Sequence, residues 1–393
     1  MPPAQDRPAR VLALCEGAIP SAVLGVHTVF EALAEKTGLC ELRTGSSVSP
    51  STRDVAWADS LVLVRGASPA ERRLLIESRR LGKRVATYLD DDLERVPGTA
   101  RSGYFFTSDE VRRNVAFIVA EADDVLVCSD RLGEELRRRH GRPALRVLQP
   151  RPARLPGETA PRPHDSPLRI GFLGSVDHAP YIDELLGDVL RQVKREHGRN
   201  VDFVFCGAEP MVAADVGARR FGFEPDFASW RRRALDLRVA VGLAPLPEGD
   251  FQRFKYWNKY LEYGSLGIAG VYSDVPPHAD VVRNGATGIL CANEPAAWQA
   301  ALDRLVAEPA LRQRIGHAAY LDVEARFAVG ALVPHWQTTL GSLLAHRAPE
   351  CWPEQVRLRS GSFWHTLDRL AVYGPLRFAE RVLGRLTGRL GPG

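Results

Sequence analysis

The sequence predicts an α/β protein built from two similar halves, each a parallel sheet covered by helices. Three observations lead there. Short apolar runs alternate with longer amphipathic ones, the rhythm of βα units. Near the middle, residues 151–167 (RPARLPGETAPRPHDSP) break that rhythm with a density of proline and polar residues that reads as a stiff linker. The length, 393 residues, exceeds what one hydrophobic core organises well, so two domains are expected.

In the first half, residues 1–150, Val11–Cys15 reads as a strand followed by a loop with Gly17 and a helix over Ser21–Ala34. Ser60–Val64 (SLVLV) is a second strand, running into Arg65. Pro69–Leu81 is a basic helix, and Arg84–Leu89 a strand that ends in three carboxylates, Asp90, Asp91 and Asp92. Val111–Glu121 and Ser129–His140 read as helices, with strands at Val125–Cys128 and Val147–Gln149. The second half, residues 168–327, starts with the strand Leu168–Leu173, the turn Gly174–Ser175 and a helix over Ile182–His197. Further strands fall at Val201–Cys206, Val239–Leu246 and Ile268–Tyr272, then helices at Pro295–Ala307 and Pro309–Phe327. Arg231–Arg233 reads as a solvated turn. Residues 328–393 form a C-terminal helical tail, with one helix over Leu332–Ala345. In open parallel sheets ligands gather at the carboxyl ends of the strands, so two such halves facing each other predict an interdomain cleft.

Composition excludes several classes. A net charge of +4 is too small to imply nucleic acid without clustering. The six cysteines contain no CxxC pair and fit reduced thiols better than disulfides or a zinc site. No signal peptide and no membrane span are expected, and with reduced thiols the chain is expected in the cytoplasm.

The chemistry concentrates in Phe251–Gly288, FQRFKYWNKYLEYGSLGIAGVYSDVPPHADVVRNGATG. Spacings of four and three residues predict that Lys255, Lys259 and Glu262 share one face of a helix. Two ammoniums and a carboxylate there suit a diphosphate beside a ribose diol.

Several segments together resemble a family. RIGFLGSVDHAPYID is similar to the first strand and glycine loop of a donor-binding half, and VDFVFCGAEP to its second strand. FQRFKYWNKYLEYGSLGIAGVYSD and VVRNGATGILCANEPAAWQAALDRL are similar to the donor-site helix and the segments after it. ADSLVLVRG, GKRVATYLDDDLERVPG and ADDVLVCSDRLGEELRRRHG resemble the N-terminal half of a bacterial surface-polysaccharide subgroup. Over Val11 to Leu344 the chain thus resembles retaining glycosyltransferases of the GT-B fold, in the GT4-like group. The resemblance implies two Rossmann-like domains, the first binding acceptor and the second a nucleotide sugar, and transfer of a hexose-type sugar to a glycan or lipid-linked acceptor. It implies no metal or cofactor beyond the co-substrate, with UDP or GDP as its nucleotide.

Carried onto this chain, the resemblance assigns Glu262 to the ribose hydroxyls, and Lys255 and Lys259 to the diphosphate, with Lys255 assisting bond cleavage. Gly174 and Ser175 would admit the phosphates, and His178 would reach phosphate or sugar. In the first half Asp90, Asp91 and Asp92 would face the acceptor and take part in catalysis, and Arg65 would pair with an acceptor phosphate. One departure stands out: many relatives have a second glutamate eight residues before the position of Glu262, and this chain has Phe254. Glu248 or Asp250 could supply that contact.

Rival readings stay open at this stage. Glu262 could be a surface carboxylate paired with Lys259 or Lys255, and the aspartates could cap the turn from Leu93. Asp90 and Asp92 form an Asp-x-Asp that a metal-dependent, single-sheet GT-A transferase would use. A non-catalytic GT-B-like binding protein is a further alternative, and an epimerase or phosphorylase on the same fold another. In the tail, Arg377, Arg381, Arg385 and Arg389 recur every four residues beside Phe378, Val382, Leu386 and Leu390. That pattern suits peripheral contact with an anionic membrane, at the inner face of the plasma membrane, or else packing of the apolar stripe on the N-terminal domain with the arginines facing water.

Overall fold

The computed structural model describes residues 7–17, 19–98, 103–142, 145–148, 158, 166–358 and 366–372. The chain divides into two units, Met1–Pro150 with Val333–Gly393, and Arg151–Leu332. The segment after residue 332 therefore belongs with the N-terminal half. The four tail arginines and most of the proline-rich linker lie outside the described residues.

Unit 1 holds the strands β1 (Ala9–Cys15), β2 (Cys40–Ser46), β3 (Ser60–Val64), β4 (Arg84–Leu89), β5 (Asp124–Val127) and β6 (Leu145–Val147). All pair in parallel, in the order β2-β1-β3-β4-β5-β6. Every residue of β3 and β5 is buried, as expected for strands covered on both faces. β2 (CELRTGS) is the exception, polar and half exposed at the sheet's edge; its lack of alternation hides it from sequence reading. The returning C-terminal segment is stitched on by polar contacts. Ser342 Oγ donates to Asp124 (3.0 Å), the Ala348 amide to Asp59 (3.1 Å) and the Arg357 amide to Glu77 (2.6 Å). Arg73 makes a bidentate pair with Asp368 at 2.9 and 2.6 Å.

Unit 2 holds β7 (Leu168–Leu173), β8 (Val201–Cys206), β9 (Arg219–Phe221), β10 (Val241–Ala244), β11 (Ala269–Ser273) and β12 (Ile289–Cys291). They too are parallel, in the order β12-β11-β10-β7-β8-β9. The core packs Ile170, Phe172, Phe203 and Phe205 of the sheet with Leu186, Leu190, Trp298 and Leu302 of the covering helices. The chain runs outward from β7 through β9, then returns to β10 on the other side. This reversal opens a crevice outside the carboxyl ends of β7 and β10, where such sheets bind ligands.

The arginine cluster is not a solvated turn. Arg231, 1% exposed, holds Glu158 through two hydrogen bonds (3.0 and 2.5 Å) and donates to Ser265 Oγ at 2.9 Å. A linker carboxylate is thereby fixed to unit 2 by a buried pair.

Candidate functional site

At the carboxyl end of β7 the chain turns through Gly174 and Ser175 into a short 3-10 turn, Val176–His178, and then the 19-residue helix Ala179–His197. No side chain caps the 3-10 turn or the helix it runs into, so the positive end of this helical segment favours a negative ligand. The turn is tight enough to require glycine twice. A Cβ at Gly174 would lie 2.5 Å from Lys259 Nζ, and one at Gly207, where φ is +86°, 1.7 Å from the Gly174 carbonyl oxygen.

Lys259 and Glu262 come from the helix Asn258–Ser265. Tyr263 fixes this helix to β10 by donating to the Leu243 carbonyl (2.6 Å), and Tyr260 fixes it to Asp322 (2.5 Å). From that rigid base, Lys259 Nζ donates to the Leu173 carbonyl and to Glu262 Oε2, both at 2.5 Å, and sits 4.9 Å from the centroid of the Phe172 ring. The pairing foreseen as the plain alternative for Glu262 therefore exists. It occupies one carboxylate oxygen; among the described residues, Oε1 accepts no hydrogen bond.

Lys255 departs from expectation. It lies outside the helix in extended backbone, just past the 3-10 turn Gln252–Phe254. The break tucks the apolar neighbours inward: Tyr256 and Phe254 are buried, and Trp257 packs on Phe327. Lys255 Nζ lies 4.5 Å from the Phe251 ring centroid, and its charge still reaches the site, because it disfavours protonation of His178. Glu248 and Asp250 are exposed on the neighbouring loop.

His178 packs against Phe172 and Tyr181, with ring centroids 5.1 and 5.7 Å apart. Burial, reinforced by Lys259, Lys255 and His278, holds its pKa well below the usual 6.5, so the ring is neutral. Its Nδ1 is shut off from solvent with no hydrogen-bond partner among the described residues, while other parts of the side chain remain half exposed. The structure thus gathers Gly174, Ser175, His178, Lys255, Lys259 and Glu262 at one edge of unit 2. His278, which sequence reading passed over, belongs there too: it lies just after β11, and Lys259 acts on it electrostatically.

In unit 1 the aspartates divide. Arg65, in left-handed backbone (φ 55°), donates from Nη1 to Asp90 and Asp91, both at 2.9 Å. Burial opposes its charge, but the two carboxylates outweigh burial and hold its pKa up. Arg65 is thus already neutralised, which weakens its assignment to an acceptor phosphate. Asp92 has a structural task instead. It is 1% exposed, and Arg139 grips both its oxygens at 2.9 and 2.7 Å. Each carboxylate of the Asp-x-Asp therefore has an arginine partner, and the second six-stranded sheet does not fit the single-sheet GT-A alternative. Among the described residues, one group has metal-ligand spacing, Glu196, His197 and Asp303. It lies at the far end of the helix from Ser175, with His197 and Asp303 already bonded to each other at 2.8 Å.

No family model matches the chain, and no curated protein matches it in sequence. Solved structures do match. The chain is similar to sucrose-phosphate synthase from Thermosynechococcus elongatus (TM-score 0.61, 15% identity, 86% of this chain and 99% of that one). It is also similar to HepE from Anabaena in complex with UDP-glucose (0.57, 14%, 85% and 99%) and to a glycosyltransferase from Rickettsia africae (0.57, 12%, 87% and 100%). At these identities the likeness defines a fold: the two Rossmann-like units have the GT-B architecture. Among the described residues no helix is long and apolar enough to cross a membrane.

Proposed function

We propose that unit 2 binds a nucleoside-diphosphate sugar and that the protein transfers the sugar to a glycan or lipid-linked acceptor, with retention at the anomeric carbon, in cell-surface glycan assembly. One observation carries the reading. At the switch point of a GT-B sheet, an uncapped helix start, a glycine turn and the Lys259–Glu262 pair converge on one edge. HepE, similar in fold, was solved with UDP-glucose, which supports UDP as the first nucleotide to try.

In this account the glycine turn lets backbone N–H groups approach the diphosphate, and Glu262 Oε1 accepts from the ribose hydroxyls. As the bond from the anomeric carbon to the diphosphate breaks, its electrons pass to the leaving phosphate oxygen; the acceptor oxygen bonds the anomeric carbon from the same face, and its proton passes to that phosphate oxygen. Lys255 and Lys259 supply the positive field that stabilises that charge. Lys259 is already oriented by Leu173 and Glu262, so little reorganisation is needed. Asp90 and Asp91, at the carboxyl end of β4, are the carboxylates we assign to an acceptor hydroxyl; Asp92 is left to the fold.

An epimerase acting on the same kind of ligand is the second reading, favoured by a likeness to a putative UDP-N-acetylglucosamine 2-epimerase from Listeria monocytogenes (TM-score 0.50). A thermal-shift screen with UDP-, GDP-, ADP- and dTDP-sugars, followed by product analysis of each hit, separates the cases. Release of nucleoside diphosphate with a new glycoside supports transfer, and an isomerised sugar nucleotide supports epimerisation. Binding without turnover indicates a non-catalytic binding protein, and no shift with any ligand overturns the proposal.

A further inference from the structure

The helix that carries Lys259 and Glu262, Asn258–Ser265, is tied along its length by Lys259, Tyr260 and Tyr263. Its last turn has a separate anchor. Arg231 donates from Nη1 to Ser265 Oγ (2.9 Å) and from Nη2 to the Ser265 carbonyl (3.2 Å). Ser265 Oγ in turn donates to the Glu262 carbonyl at 2.9 Å. The last carbonyls of a helix have no partner within it, and a cation at that end is favoured by the helix dipole. One guanidinium thus reaches, through one hydroxyl, the backbone of the residue assigned to the ribose.

Arg231 comes from another helix, Phe227–Leu237, and is 1% exposed. An unpaired cation there would be costly. Glu158 supplies the counter-charge at 3.0 Å from Nε and 2.5 Å from Nη2, its own side chain 4% exposed. Buried pairs of this kind do little for stability that apolar side chains of like volume would not do. What the planar fork adds is direction, with a carboxylate on one edge and a hydroxyl and a carbonyl on the other. Glu262 stands three residues before Ser265, with its side chain 19% exposed and Oε2 held by Lys259. The aim of Oε1 therefore follows the lie of this last turn.

We propose that Arg231 is a positioning residue for the donor: with Glu158 as its counter-charge, it fixes the last turn through Ser265 so that Glu262 Oε1 meets the ribose hydroxyls. A carboxylate of the proline-rich segment thereby helps to build the donor edge. This rests on the nucleotide-sugar reading above.

The test is calorimetric titration of the full chain with UDP, GDP, ADP and dTDP, each against its analogue with no hydroxyl on the ribose. Arg231→Lys keeps a charge opposite Glu158 but loses the fork that meets Glu158 and Ser265 at once. In that variant the nucleotide bound by the wild-type chain should weaken about tenfold, while its hydroxyl-free analogue stays within about twofold. Ser265→Ala removes only the relaying hydroxyl and should show the same selectivity with a loss of about threefold. Equal weakening of nucleotide and analogue, or no weakening of either, means that Arg231 serves the fold alone; it overturns the inference and leaves the donor site standing. If the wild-type chain does not distinguish nucleotide from analogue, the ribose assignment of Glu262 fails and this inference with it. If it binds neither, the nucleotide-sugar reading itself fails. Should Arg231→Lys unfold, Ser265→Ala decides alone: selective weakening of the hydroxyl-bearing nucleotide supports the assignment, and parallel weakening or none refutes it.

Discussion

Replacing Gly174 with alanine would put a methyl carbon 2.5 Å from Lys259 Nζ and 2.8 Å from the Phe172 ring. Phe172 is fully buried in the unit 2 core and cannot retreat. Lys259, 9% exposed, must move, and in moving it stretches or loses its hydrogen bonds to Leu173 and Glu262. Hydrogen bonds to charged groups contribute about 1.5–3 kcal/mol each, and overpacking a filled site costs about 1–3 kcal/mol. With one of the two bonds kept, the combined destabilisation should be about 2.5–6 kcal/mol. Gly187→Ala is the matched control: the nearest atom to its new Cβ is Arg191 Nη1 at 3.7 Å, and alanine inside a helix gains about 0.5–1 kcal/mol over glycine. Equilibrium urea unfolding should lower the midpoint of Gly174→Ala and hold or raise that of Gly187→Ala, and nucleotide-sugar titration should show weakened binding in the first variant only. If Gly174→Ala matched the control in both assays, Lys259 would not be held against the glycine turn, and the account of the site's preorganisation would be wrong.

Other consequences can be measured independently. Glu262→Gln keeps the shape and removes the charge, so donor affinity should fall about tenfold or more, since a charge-assisted bond to the ribose is weakened; calorimetry on the folded variant checks this. Arg139→Met leaves Asp92, whose carboxylate is wholly buried, with the more distant Arg95 (3.7 Å) as its cation, and should destabilise unit 1 by about 3 kcal/mol, seen as an early urea transition. Acid should weaken the same unit. Arg138 and Arg139 hold Glu135 down at about 2, so this carboxylate's contribution is present above its unfolded value of about 4.3 and is lost as pH falls towards 2. Glu135→Gln should flatten that decline in a pH series of unfolding curves.

Much of the fold was legible because parallel strands buried on both faces are written as uninterrupted apolar runs. SLVLV at β3 and the run beginning at Val201 could hardly be anything else. The edge strands β2 and β9 were missed because residues such as Arg43, Thr44 and Arg219 face water and carry no alternation. The return of residues after 332 to unit 1 was hidden for another reason: contacts such as Arg73–Asp368 span hundreds of positions, and no local pattern reports them. The donor edge was partly legible, since Gly174, Lys259 and Glu262 sit where strand ends and helix starts must fall. Lys255 was misplaced because its spacing continues a helix that the inward turn of Tyr256 and Trp257 interrupts. Asp92 looked like its neighbours, but the distant helix Asp130–His140 brings Arg139 against it.

The central claim is that the edge of unit 2 around Lys259 and Glu262 takes a nucleoside-diphosphate sugar. Calorimetric titration of the full chain and of Glu262→Ala with UDP-glucose, GDP-mannose, ADP-glucose and dTDP-glucose tests it most directly. Saturable one-site binding of at least one of these by the wild-type chain is expected, with severe weakening in the variant. Wild-type binding left unchanged in Glu262→Ala, or no binding of any of the four, would contradict it.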